Sequence, residues 1–307
     1  MPVSGLKGFL AGLGTVCAAG FLLVIYGCGG GGGATTPSPP QSNHAFQAHI
    51  KHIVVIFQEN RTPDNLFHGL PGADIANSEL DSSGNLVPLQ PISLVTDYDL
   101  RHAHSDFVAM YDGGKMDGAD HVIVRCVQGA TDCPPPNPHF RYVNPQEVQP
   151  YFQMAEQYTF GDRMFQTNQG PSFPAHQFLI SGTSAPATGS DLFASENPDF
   201  PSHSTNLNAG CASPPGETVA LIDPTGSEAQ SQFPCFEHAT LPDLLDSNNV
   251  SWRYYAPGPG TIWTGPNAIR HLRFGPDWQK VIIPQTTVLT DIANGQLAQL
   301  SWVIPNG

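Results

Sequence analysis

The chain has 307 residues, of which 40% are hydrophobic, so it can bury the core of one large α/β domain or two ordinary ones. It carries 12 Lys and Arg against 26 Asp and Glu, a formal net charge of −14. That balance argues against nucleic acid as a partner, because phosphate contacts need clustered Lys and Arg, and against charge-driven adsorption to an anionic membrane. Glycine (31) and proline (30) are both abundant. Many turns and long loops follow, and loops are where sites are usually built.

Residues 1–27 contain a single charge, Lys7, followed by the apolar run "GFLAGLGTVCAAGFLLVIYG". This pattern predicts a secretory signal peptide. In "IYGC" a small residue precedes Cys28 and an aliphatic residue lies three before it. That spacing resembles a bacterial lipoprotein cleavage site, although Tyr26 is bulkier than usual there, and it makes Cys28 the expected lipid-anchored residue. An uncleaved signal anchor is the alternative, since about 20 apolar residues can span a bilayer. Both readings export the chain, to the bacterial cell envelope, the periplasm or the outside. Residues 28–48 are rich in Gly, Pro and Ser and read as a flexible tether. The folded domain is expected over residues 49–307.

Four further cysteines, Cys126, Cys133, Cys211 and Cys235, allow three pairings. The local pairing, Cys126–Cys133 with Cys211–Cys235, closes two loops rich in Pro and Gly. Neither spacing is a zinc pattern. Disulfides in an oxidising compartment are the expectation.

Residues 50–57 form a continuous β-branched run and read as a buried strand. Residues 58–69 turn and start a short helix. Residues 70–100 read as loop with short strands. The segment 144–165 is helical in its middle, with Val148, Phe152, Ala155 and Tyr158 as its apolar face. In 166–185, Gly170 and Pro171 mark a turn, and a helix opens over Phe173–Ile180 with Ser172 at or near its N-cap. Residues 186–237 read mostly as loop. Residues 240–257 read as helix, turn and strand, and "TVLTDIANGQLAQLSWVIPNG" repeats that order. Such alternation predicts an α/β fold with a mostly parallel sheet and helices on both faces. The chain stops directly after the strand "LSWVIP", where ligand groups usually gather in open sheets, so the domain is expected to be incomplete at its C-terminus.

Three stretches can carry chemistry. The first is "QENR" (58–61), directly after a strand, where Glu59 and Asn60 are hard oxygen donors for a divalent cation. Locally it reads equally as a polar turn with Arg61 paired to Asp64. The second is "GPSFPAH" (170–176). Ser172, at a helix start, sits where free backbone N–H groups favour an anion or phosphoryl group, and a metal can activate its hydroxyl. An ordinary serine cap is the plain alternative. The third is "DYDLRHAHSDFVAMYDGGKMDGAD" (97–120), where His102 and His104 point to one side of an extended segment. They can contact a phosphoryl oxygen, protonate a leaving group or bind a metal, or be two surface histidines.

In this order, "HIVVIFQENRTPDNLFHG", "LRHAH…GGKMDG" and "DRMFQTNQGPSFPAHQFLISGT" resemble the bacterial phosphoesterase family. That family includes phospholipases C and a secreted acid phosphatase, within the alkaline phosphatase-like superfamily. The resemblance covers roughly residues 50–307. It implies the alkaline phosphatase-like α/β fold, a Ser nucleophile at Ser172, and Glu59 and Asn60 as metal ligands together with Ser172. It implies a histidine beside the phosphoryl group at His102, with His104 and His176 as neighbouring candidates and His271 as a weaker one. Ala175 stands where many members have Asn. The implied cofactor is a divalent metal ion, with Ca, Mg or Mn suiting oxygen ligands and Fe and Zn also compatible. The implied substrate is a phosphate ester or phospholipid, and the loops in 186–237 would shape its pocket.

The family's later Ser-x-His pair and Trp-Asp-Asp segment, whose aspartates complete the metal site, do not occur before Gly307. The implied ligand set is therefore partial, which leaves the turnover of this chain open. The competing readings are a non-catalytic surface protein that keeps the fold, and a sulfatase-like esterase. The second lacks support, because "SFPAH" has no Arg at the position that signature requires.

Overall fold

The computed structural model describes residues 49–198 and 208–306. The expected signal peptide, the anchoring Cys28 and the tether lie outside the described residues.

Four parallel strands form the central sheet: β1 (Ile53–Ile56), β2 (Trp252–Tyr255), β3 (Val281–Ile282) and β4 (Leu300–Val303), in the order β1–β4–β2–β3. Seven α-helices are described: α1 (Pro63–Leu66), α2 (His104–Tyr111), α3 (Gln149–Gln157), α4 (Ser172–Ser181), α5 (Leu241–Ser247), α6 (Arg270–Phe274) and α7 (Thr287–Ala293). The expected α/β class with a parallel sheet is the one observed.

Strand alternation decides which side chains meet which layer. Trp252, Tyr254 and Trp302 share one face and join the main core with Phe173 and Ile180 of α4, Phe236, Ile269 and Leu272. Trp252 and Trp302 meet edge to face, 6.1 Å between ring centres. Tyr255 and Val303 point the other way and pack on Val288 of α7. There the buried Asp291 accepts from the Tyr255 hydroxyl at 2.7 Å and pairs with Arg253, so no charge is buried alone. Helices thus cover both faces. Helix α5 opens on a capping box, with the Thr240 N–H donating to the Asp243 carboxylate at 2.7 Å and Pro242 in its first turn.

Several expectations need correction. β1 is an edge strand that pairs with β4 among the described residues. Ile53, Val54 and Ile56 are 53%, 39% and 64% exposed, and only Val55 and Phe57 reach the main core. A β-branched run sets strand propensity but not what covers the strand. Residues 186–237, read as mostly loop, carry a three-stranded antiparallel sheet of Phe193–Ala194, Val219–Ile222 and Gln230–Gln232. Its hairpin is turned by Asp223, whose carboxylate accepts from the N–H groups of Thr225 and Ser227. Tyr158 caps α3 and is exposed rather than part of its apolar face, because the helix ends one residue before it. The rest follows the chain-order reading, including short strands within 70–100. Disulfides join Cys126 to Cys133 and Cys211 to Cys235, the local pairing.

Candidate active site

The chain leaves β1 through Phe57, whose N–H donates to Val303 O at 3.1 Å, and Glu59 follows two residues later. Three side chains from two segments converge on its carboxylate. His176 Nε2 lies 2.7 Å from Oε1, while the Ser172 hydroxyl and the Trp263 indole N–H donate to Oε2 at 3.0 and 2.8 Å. Ser172 and His176 are four residues apart on α4, so one helical face presents both to the same group. The other His176 nitrogen, Nδ1, is 3.1 Å from the Tyr254 hydroxyl, which donates to Trp263 O at 2.8 Å. The ring of contacts closes through the sheet, since Tyr254 is a β2 residue. Gly265 lets the following turn lie against α4; a Cβ there would sit 2.5 Å from His176 O.

Burial alone would push the Glu59 carboxyl up. The hydrogen bond and positive charge from His176, with the bonds from Ser172 and Trp263, outweigh it and hold the pKa below the ordinary glutamate value. Glu59 is therefore an ionised, well-aimed acceptor. Tyr254 is fully buried and its phenol is pushed up by burial, so it remains a neutral donor.

Asn60 is exposed and adopts a left-handed backbone, φ 72°. Asn tolerates that region better than most residues, and such positions cluster at functional sites. Arg61 donates to Asn65 Oδ1 at 3.3 Å rather than pairing with Asp64.

Ser172 is the first residue of α4, with Pro171 at the cap position and no side-chain cap from within the helix. Its surroundings differ from the expected cluster of free N–H groups. The Phe173 N–H already donates to Asn197 Oδ1 at 2.9 Å, and Pro174 has no N–H. The first turn consequently offers an anion fewer donors than a typical helix start.

The two histidines of "RHAH" do not share one side of an extended segment. The strand there ends at Leu100, and His104 begins α2, so the backbone changes direction between them. His102 is partly exposed and pairs with Asp99 at 3.2 Å. The hydrogen bond and charge of Asp99 raise the His102 pKa, and the Glu59 charge adds to this. His104 is buried, its ring held between Glu228 Oε1 and Gln169 Oε1 at 3.2 Å each. His271 belongs to a separate cluster with Glu237 and Asp243, at 2.5 and 3.1 Å. The structure therefore brings together Glu59, Ser172 and His176, and leaves His102 paired with Asp99 and His104 and His271 in other contacts.

Trp263 and Tyr254 were not anticipated. Trp263 sits in a Gly/Pro-rich loop and Tyr254 in an aromatic strand, and neither position carries a motif. Their distance in sequence from Glu59 hides the link.

Glu59, Asn60 and Ser172 supply hard oxygens, which suit a divalent ion. The lowered Glu59 pKa and its fixed hydrogen bonds also fit a ligating carboxylate. No group of three or more His, Cys, Asp or Glu side chains suited to a metal occurs among the described residues, and Glu59, Asn60 and Ser172 alone would fill only part of a coordination shell. No curated protein matches the chain. The phosphoesterase family model matches residues 50–307, so the chain belongs to the phosphoesterase family, and its general chemistry is the hydrolysis of phosphate esters.

Proposed function

We propose that the protein is a metal-dependent phosphoesterase in which Ser172 is the nucleophile. The observation that carries this reading is the 3.0 Å hydrogen bond from Ser172 Oγ to Glu59. It joins two motifs 113 residues apart, one at the carboxyl end of a parallel strand and the other at a helix start.

Ser172 Oγ attacks phosphorus, the new O–P bond forms, and the bond to the leaving alkoxide breaks. Water then cleaves the phosphoserine, releasing phosphate or a phosphomonoester and restoring the hydroxyl. Glu59 aims Oγ, but its lowered pKa makes it a weak base. Activation of Ser172 therefore calls for a nearby positive charge. Glu59, Asn60 and Ser172 would hold a divalent ion, which would supply that charge and neutralise a phosphoryl oxygen. His176, buried and bonded to Glu59, orients the carboxylate rather than touching substrate. His102, with its raised pKa, favours the imidazolium that can protonate the leaving oxygen.

The substrate is a phosphodiester of phospholipase C type or a phosphomonoester. We place the protein outside the cytoplasm or in the envelope, attached at its N-terminus, and the two disulfides are compatible with that. The test compares phosphatidylcholine with p-nitrophenyl phosphate, with and without chelator, for the native chain and Ser172→Ala. Turnover that is chelator-sensitive and lost by on the order of 10³-fold in Ser172→Ala is expected. A Ser172→Ala protein that keeps its turnover sinks the reading.

A further inference from the structure

The segment 194–197 lies outside the three motifs, yet it touches the starts of both α4 and α2. Its backbone is pinned from two sides. The Ala194 N–H donates to Ser184 O at 2.9 Å and the Ser195 N–H to Ala220 O at 3.0 Å. Ala194 and Ser195 are buried. From this fixed base three consecutive residues reach outward. Ser195 O approaches Gly170 so closely that a Cβ there would lie 2.6 Å away. Glu196 Oε1 accepts from the His104 N–H at 2.7 Å. Asn197 Oδ1 accepts from the Phe173 N–H at 2.9 Å.

Helix α4 needs such help. Its cap residue is Pro171, which has no side-chain acceptor. An uncapped first turn frays. Ser172 stands in that turn, so fraying displaces its Oγ from Glu59, and small displacements of a reacting group cost rate.

We infer that Asn197 is a positioning residue for Ser172: it caps the Ser172 helix from a distant, rigidly held segment. The same segment holds the start of α2 through Glu196, which couples the Ser172 turn to the turn carrying His102. This rests on Ser172 being the nucleophile. Asn197 acts through the Phe173 amide, so its removal affects the chemical step more than substrate binding.

The experiment uses the full chain and its Asn197→Ala, Asn197→Asp and Ser172→Ala variants. Turnover of p-nitrophenyl phosphate and amide hydrogen exchange over residues 172–180 are both measured. Asn197→Ala is expected to lower kcat about tenfold with KM within about twofold, and to speed exchange at the Phe173 amide. Asn197→Asp, whose carboxylate also accepts at an N-cap, is expected to restore kcat and protection. The inference is overturned if Asn197→Ala leaves kcat and exchange unchanged, or if its loss appears in KM alone. It is also overturned if kcat falls with uniformly faster exchange that the Asp variant does not restore, because that marks general destabilisation. If the native chain turns nothing over, or Ser172→Ala stays active, the phosphoesterase mechanism fails on its own. Exchange confined to the first turn in Asn197→Ala and reversed in Asn197→Asp then still decides the cap.

Discussion

Glu59 and Glu196 each lie beside a histidine, and they behave in opposite ways. At Glu59, burial is outweighed by donors from His176, Ser172 and Trp263, and the carboxyl is held below its ordinary value. At Glu196, burial dominates; one backbone N–H from His104 and the Arg101 charge do not offset it, and the neighbouring Glu228 carboxylate adds to it, pushing the pKa up to about 7. Residue types and burial are similar, so the number of donors aimed at the carboxylate sets the sign. The first cluster holds a charge ready for a cation; the second stores a proton near neutrality.

The largest expected effect comes from breaking the donor-rich cluster at its centre. Glu59→Gln should lower phosphate ester turnover by on the order of 10³-fold, measured as kcat/KM. It should also flatten acid unfolding. A carboxyl with a depressed folded-state pKa contributes stability above its ordinary value of 4.5 that is lost as pH falls through the folded value. Denaturation midpoints of the native chain should therefore drop below about pH 4.5 more steeply than those of Glu59→Gln. Next in size, His176→Ala leaves Glu59 without its strongest partner and opens a hole where a side chain is only 2% exposed. Activity should fall about 10–100-fold and stability by about 2–4 kcal/mol, read from kinetics and urea unfolding.

The opposite cluster gives a smaller effect with the reverse pH sign. Because the folded state favours protonated Glu196, stability declines as pH rises from about 4.5 toward 7, and the deficit is complete above that. Glu196→Gln keeps an oxygen for the His104 N–H. It should raise Tm by about 2 °C at pH 8 and leave it unchanged at pH 4, partial exposure keeping the gain small. A rise at both pH values would mean that charge is not the cause. The smallest effect is expected outside both clusters. Ile56→Lys on the exposed edge strand should change stability by less than about 0.5 kcal/mol, preserve both pH signatures and reduce self-association seen by light scattering.

The sequence carried most of the architecture because its signals are local. The helix–turn–strand repeats at 240–257 and 287–303 are periodic within short windows, and the sheet follows from them. Glu59, Ser172 and His176 were legible for a related reason: each sits in a motif, and the spacing of four between Ser172 and His176 implies one helical face. What escaped depends on contacts across the chain. The burial of β1 is decided by its neighbours rather than by its own residues. Trp263 reaches Glu59 across 204 positions, and Asn197 reaches the Phe173 amide from a loop without a motif. The hairpin at Asp223 is encoded in "IDPTGS", but that signal does not stand out among the many Gly/Pro turns of the chain.

The pairing of β1 with β4 also sets a timetable. The strand that delivers Glu59 leans on residues 300–303, almost 250 positions later in the chain. Made at about 5–20 residues per second, that stretch keeps the first strand waiting for tens of seconds before its ladder can close. During this time "IVVIF" is an unpaired apolar ribbon, open to whatever else binds extended chain. A protein arranged this way gains its carboxylate–serine contact late, and its yield should depend on how well that early ribbon is shielded until β4 arrives.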